Sequence, residues 1–129
     1  MPVPIVALYG SLNAFLNVAL AVRVSRLRVA HGVSLGTGDS KEVLHAVRAH
    51  GNNAEFVPLA IVMLLIAELS GGSAIALHVL GASLFAGRLL HIVGIPRRAP
   101  NPYRFLGNGA TWIVILAASV YCLVLRGRA

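Results

Sequence analysis

The stretch Arg48-Ala49-His50-Gly51-Asn52-Asn53-Ala54-Glu55-Phe56-Val57-Pro58 decides how the chain reads. An α-helix turns by about 100° per residue. At spacings i, i+4 and i+7, Arg48, Asn52 and Glu55 therefore project from one face, within roughly 60° of each other. Lys41 and His45 extend the same row toward the N-terminus. Directly after it comes Pro58-Leu59-Ala60-Ile61-Val62-Met63-Leu64-Leu65-Ile66-Ala67, without a charge. One helix, from Lys41 to about Leu69, thus joins a polar row to a lipid-like half. Such a row is costly at membrane depth unless it faces something polar.

The composition agrees. The 129 residues are 57% hydrophobic and 12% charged, about half the charged fraction of a soluble domain. The length suits one domain, residues 1–129. We read an all-α membrane protein that lives in the lipid bilayer. The net charge of +7 does not point to nucleic acid. The basic residues stand between apolar spans, and few aromatics interleave them. Arginines flanking membrane spans account for the charge. The single cysteine, Cys122, lies in an apolar run and leaves no intrachain disulfide. The N-terminal segment lacks a basic leader and a clear cleavage site, so it reads as a retained span.

Outward from the deciding stretch, the first span covers about Val3 to Val24 and holds Asn13 and Asn17, one turn apart. Their amides need partners in hydrocarbon, most simply another helix. Arg23, Arg26 and Arg28 form a basic collar at its end. Ala30 to Ser40 carries three glycines and reads as a loop. Asp39 or Ser40 can cap the second helix, with Glu42 in its first turn. Ser70-Gly71-Gly72 ends that helix, which leaves Glu68 in solvent at the outer face.

The third span is about Ser73 to Ile95, with Arg88 and His91 on one face near its end. Pro96 to Pro102 is a loop stiffened by prolines. Tyr103-Arg104-Phe105 leads into a fourth span, about Leu106 to Leu125, followed by Arg126 and Arg128. Four spans of about 20 residues fit a hydrocarbon core of roughly 30 Å. Nine of the 11 Lys+Arg lie at the end with loops 30–40 and 96–105. The positive-inside rule then puts those loops in the cytoplasm and both termini on the opposite side.

At the cytoplasmic end the spans bring Arg26, Arg48, Asn52, Glu55, Arg88, His91 and Arg104 toward one region. Two readings stand. In one, Glu55 pairs internally with Arg48 or Arg88 and only holds the bundle together. Arg48 and Glu55 are two turns apart, roughly 10 Å, so a partner from elsewhere suits Glu55 better. In the other, the excess positive charge receives an anion, either a soluble guest or phospholipid head groups. No metal site is expected, because His45, His50 and His91 have no ligand spacing. No nucleophile elbow or phosphate loop occurs.

The row Arg48-Ala49-His50-x-Asn52-x-x-Glu55-x-x-Pro58 resembles the second-helix signature of the MAPEG family, membrane-associated proteins in eicosanoid and glutathione metabolism. Gly87-Arg88-Leu89-Leu90-His91, with Arg104 downstream, resembles the third-helix end and loop of the microsomal prostaglandin E synthase branch. Val33-Ser34-Leu35-Gly36 adds a likeness to small bacterial members. The resemblance implies a four-helix transmembrane bundle assembled as a homotrimer, in a bacterial inner membrane. It implies glutathione bound between subunits, with Arg26, Arg48, Asn52, Glu55, Arg88 and His91 as its binding residues. It also gives Arg104 the catalytic role of stabilising the glutathione thiolate.

One position departs from the family. Ile95 stands where eukaryotic relatives carry a tyrosine, and Tyr103 is the candidate to supply the missing hydroxyl. Three functions follow. The first is a glutathione transferase or peroxidase acting on lipophilic electrophiles. The second is a non-catalytic glutathione- or anion-binding structural membrane protein. The third is a small four-span exporter using one membrane carboxylate, which the arginines around Glu55 disfavour.

Overall fold

The computed structural model describes residues 2–127; Arg128, read above as an outer-end charge, lies outside the described residues. The chain forms four helices: α1 Pro4–Ala30, α2 Lys41–Leu69, α3 Ala74–Gly94 and α4 Pro102–Arg126. There is no strand among the described residues. All four are long and apolar enough to cross a membrane. They run up and down in sequence, so residues 31–40 and 95–101 share one end of the bundle, here the loop end. α3 and α4 pack most closely, followed by α1 and α2, while α1 and α4 are not neighbours.

The helices differ in length. At about 1.5 Å per residue, the 21 residues of α3 span about 30 Å, the thickness of the hydrocarbon. The 29 residues of α2 span about 43 Å. α2 is therefore longer than the hydrocarbon is thick by about two turns.

The helix ends are fixed by side chains. Ser40 accepts from the Val43 N–H at 3.3 Å to start α2, as expected. α1 starts with Pro4 and has no capping side chain of its own. The Glu68 carboxylate supplies the cap from the far end of α2, accepting from Ile5 N at 3.0 Å and Val6 N at 2.7 Å. The expectation that Glu68 lies free in solvent is thus corrected: the positive end of α1 draws the carboxylate in, half-buried. Asn101 joins α3 to α4. Its Nδ2 donates to Gly94 O at 3.1 Å, and its Oδ1 accepts from Arg104 N at 2.9 Å. With Asn101 as N-cap and Pro102 next, Tyr103-Arg104-Phe105 is the first turn of α4 rather than a lead-in loop. α1 likewise runs six residues beyond Val24, so the basic collar is helical.

Two apolar clusters fill the interior. The larger, toward the termini, contains Leu64, Leu77, Leu84 and Val114. A smaller one of Leu20, Ala49 and Ile95 lies nearer the loop end. A polar group of Asn13, Asn53, Arg88, His91 and Thr111 is also buried. α3 and α4 approach so closely there because glycines face the partner backbone. A Cβ on Gly107 would lie 2.6 Å from Gly87 O, and one on Gly94 would overlap the main chain of Arg104.

Candidate anion-binding face at the loop end

Arg88 is fully buried, and three oxygens surround its guanidinium. Nε donates to Asn53 Oδ1 at 3.1 Å, Nη2 to Asn52 Oδ1 at 2.7 Å, and Nη1 to Thr111 Oγ1 at 3.3 Å. Asn53 Nδ2 donates onward to Asn17 Oδ1 at 3.1 Å. Arg88 thereby joins α3 to α2 and α4, and Asn53 carries the network on to α1. Inserting an arginine at membrane depth costs about 2.5–3.5 kcal/mol. Hydrogen bonds to a charged group contribute about 1.5–3 kcal/mol each, so three of them outweigh that penalty without a carboxylate.

The expected helix–helix role of the span-one amides holds for Asn17. Asn13 instead donates to Tyr9 O in its own helix at 2.8 Å, and its Oδ1 is buried without a protein partner.

His91 is buried behind the first turn of α4. Its Nδ1 lies 3.5 Å from Arg104 O, a long contact in which the nitrogen can only donate. Arg104 itself projects from α4 and is exposed. Beside it opens a groove of about 380 Å³ between loop 99–101 and α4, walled by Phe105, Asn108 and Trp112. Tyr103 does not reach toward Ile95. It lies under Arg97, whose guanidinium carbon is 4.0 Å from the ring centroid. The cation holds the ring outside, and Ile95 is buried.

The α2 row has a different environment. Lys41, Arg48 and Glu55 are exposed, and His45 and Asn52 are half-buried. The face continues as Leu59, Val62, Ile66 and Leu69, each more than 40% exposed. No helix of the same chain covers this face. Among the described residues Glu55 forms no salt bridge, and the one histidine–carboxylate contact is His31–Glu42 at 3.3 Å. Internal pairing of Glu55 with Arg48 or Arg88 is therefore absent. Arg26 is exposed on α1, beside a groove of about 360 Å³ that Arg23 also lines. Since α1 and α4 are not neighbours, one chain does not join Arg26 to Arg104.

Among the seven residues the sequence points to, one chain brings together Asn52 with Arg88, and His91 with the Arg104 backbone. Arg26, Arg48, Glu55 and the Arg104 side chain stay apart and outward. Asn53 and Thr111 were not anticipated as partners of Arg88, nor Asn17 as the partner of Asn53. Asn53 could have been found: it stands about 100° round the helix from Asn52, so it must face inward where Asn52 faces sideways.

The fold and this face define a multi-pass integral membrane protein whose charged residues gather at one end. A family model described as the MAPEG family matches residues 6–124, and the chain belongs to that family. It is also similar to the inner membrane protein YecN of Escherichia coli, in strain K12 and in strain O6:H1. Each is 39% identical over 110 residues, which cover 85% of this chain and 83% of the relative.

Proposed function

We propose that this protein binds glutathione in the membrane and uses it as a transferase or peroxidase against lipophilic electrophiles. The observation that carries the reading is the uncovered row Arg48–Asn52–Glu55. It offers a cation, an amide and a carboxylate, neither charge paired among the described residues. Glutathione is the matching zwitterion. Its carboxylates suit guanidinium groups such as Arg48 and Arg26, and its ammonium suits Glu55.

Charges left against lipid are expensive. The row is therefore covered by a second copy of the chain, and by family resemblance the assembly is a homotrimer. A neighbouring copy can also bring its α1, with Arg26, to the α4 of the first. The relatives' name supports a location in the inner membrane. The distribution of basic residues supports loops 30–40 and 96–105 in the cytoplasm and termini opposite.

Arg104 stands in the first turn of α4, where the helix N-terminus adds positive potential. A free cysteine thiol has a pKa of about 8.5, and a nearby cation lowers it. The thiol proton leaves to solvent and the thiolate attacks. In transfer, an S–C bond forms as the leaving group departs with its electron pair. In peroxide reduction, two glutathiones become the disulfide while the hydroperoxide becomes an alcohol and water. The apolar groove beside Arg104, with Phe105 and Trp112, suits a lipophilic small-molecule substrate arriving from the bilayer.

The test is glutathione calorimetry on detergent-purified protein, with Arg48→Ala and Glu55→Gln alongside, and thiolate absorbance on saturation. Saturable binding abolished in both variants supports the site. A wild type that binds no glutathione overturns it. Buried Ile95 and the outward Tyr103 favour a second reading, a glutathione- or anion-binding protein without turnover. Binding with no thiolate and no conjugation across an electrophile panel would select it.

A further inference from the structure

The buried Arg88 decides which way round the Asn52 amide stands. Asn52 Oδ1 receives Arg88 Nη2–H at 2.7 Å. A reversed amide would set its NH₂ against the guanidinium, donor against donor, in a buried place. The other neighbours of Arg88 are committed in the same sense. Thr111 gives its hydroxyl proton to Gly107 O at 3.0 Å, so its oxygen is the acceptor for Arg88. Asn53 turns its oxygen to Arg88 and its NH₂ to Asn17. All three partners are neutral, so the guanidinium charge is left to polarise the amides it holds.

We propose that Arg88 is a positioning residue that locks Asn52 as a hydrogen-bond donor toward the α2 row. An asparagine could serve a ligand as donor or as acceptor; here the oxygen is turned to Arg88, and the NH₂ is the end left for a ligand. The row is then divided. Arg48 and Asn52 form a donor end that takes a carboxylate or carbonyl oxygen, and Glu55 is the acceptor end that takes an ammonium. The proposal rests on the glutathione reading for its ligand, and on the geometry alone for the amide orientation.

Two measurements test it with the intact detergent-purified protein. In Asn52→Asp a carboxylate replaces the amide oxygen at Arg88, so the unfolding temperature should not fall below wild type. In Asn52→Ala it should fall. The same Asn52→Asp protein should bind glutathione at least tenfold more weakly, because an outward donor has become an acceptor. Wild type should prefer glutathione to its dimethyl ester, and the preference should collapse in Asn52→Asp and in Arg88→Gln. A merely structural Arg88 would weaken both ligands equally.

An Asn52→Asp protein that unfolds as early as Asn52→Ala overturns the orientation. One that keeps glutathione affinity within twofold overturns the donor role. No glutathione binding by wild type fails the functional reading and takes the donor role with it. The melting comparison still judges the orientation in that case.

Discussion

Gly107 lies against the main chain of His91: a Cβ on Gly107 would stand 2.5 Å from the His91 nitrogen. No flexible side chain is there to yield, only backbone. Gly107→Ala should push α4 off α3 and cost about 1–3 kcal/mol. Gly109, two residues on, has nothing within 4 Å of such a Cβ. Gly109→Ala should be neutral or stabilising by up to about 1 kcal/mol, through helix propensity. Thermal unfolding in detergent compares them, and equal effects would refute the close approach.

Asn53 serves two helices at once, through Arg88 and through Asn17. Asn53→Leu leaves a buried guanidinium N–H without its acceptor and should cost about 3 kcal/mol, since the orphan is charged. Asn53→Asp should be tolerated, because a carboxylate meets the same N–H and Asn17 can turn its own amide to donate. Denaturant titration of the two variants checks this. Equal loss in both would mean that volume, rather than hydrogen bonding, governs the position.

Val62 is 49% exposed on the bare face of α2. Facing lipid, a larger apolar side chain would be accepted there. At a contact between copies it would overpack. If the proposed trimer forms through this face, Val62→Trp should shift the native mass to monomer, with helix content unchanged. An unchanged oligomer would assign that face to lipid.

The fold was legible because its signals are local and one-dimensional. Span length, absence of charge and the glycine and proline breaks each act along the chain, and α2 and α3 fell within one residue of expectation. The starts and ends missed were those set by partners distant in sequence or by a side chain read as loop. α1 extends through Arg26 and Arg28, and α4 starts at Pro102 because Asn101 caps it. The α2 row was legible from spacing alone. The Arg88 network was not, since Asn17, Asn53, Arg88 and Thr111 come together only after four helices pack. Nor could spacing foretell that α1 and α4 stay apart within one chain.

Asn101 is a small clamp at the site's rim. Asn101→Ala loses both the bond to Gly94 O and the cap on Arg104 N. Loss of an N-cap costs about 1 kcal/mol, and the first turn of α4 should fray. Asn101→Asp keeps the capping oxygen and loses only the donor, so it should fall between the two. Amide hydrogen exchange over residues 103–106 measures the fraying; protection unchanged in Asn101→Ala would remove the clamp.

Arg104→Gln should leave glutathione affinity within a few-fold but deprive the thiolate of its cation. The bound thiol's pKa then rises toward its free value of about 8.5. Thiolate is the form above the pKa, so the pH profile of conjugation should move to higher pH and the rate at neutral pH should drop. An unmoved profile would exclude Arg104 from thiolate stabilisation.

The Glu68 cap ties the beginning of the first span to the end of the second. During synthesis, the amides of Ile5 and Val6 emerge some sixty residues before the carboxylate that receives them at 3.0 and 2.7 Å. Until residue 68 arrives, those groups have to be kept at water. The first span therefore reaches its final form only once the second has followed it. The order in which the protein is made is thus written into which acid closes which helix.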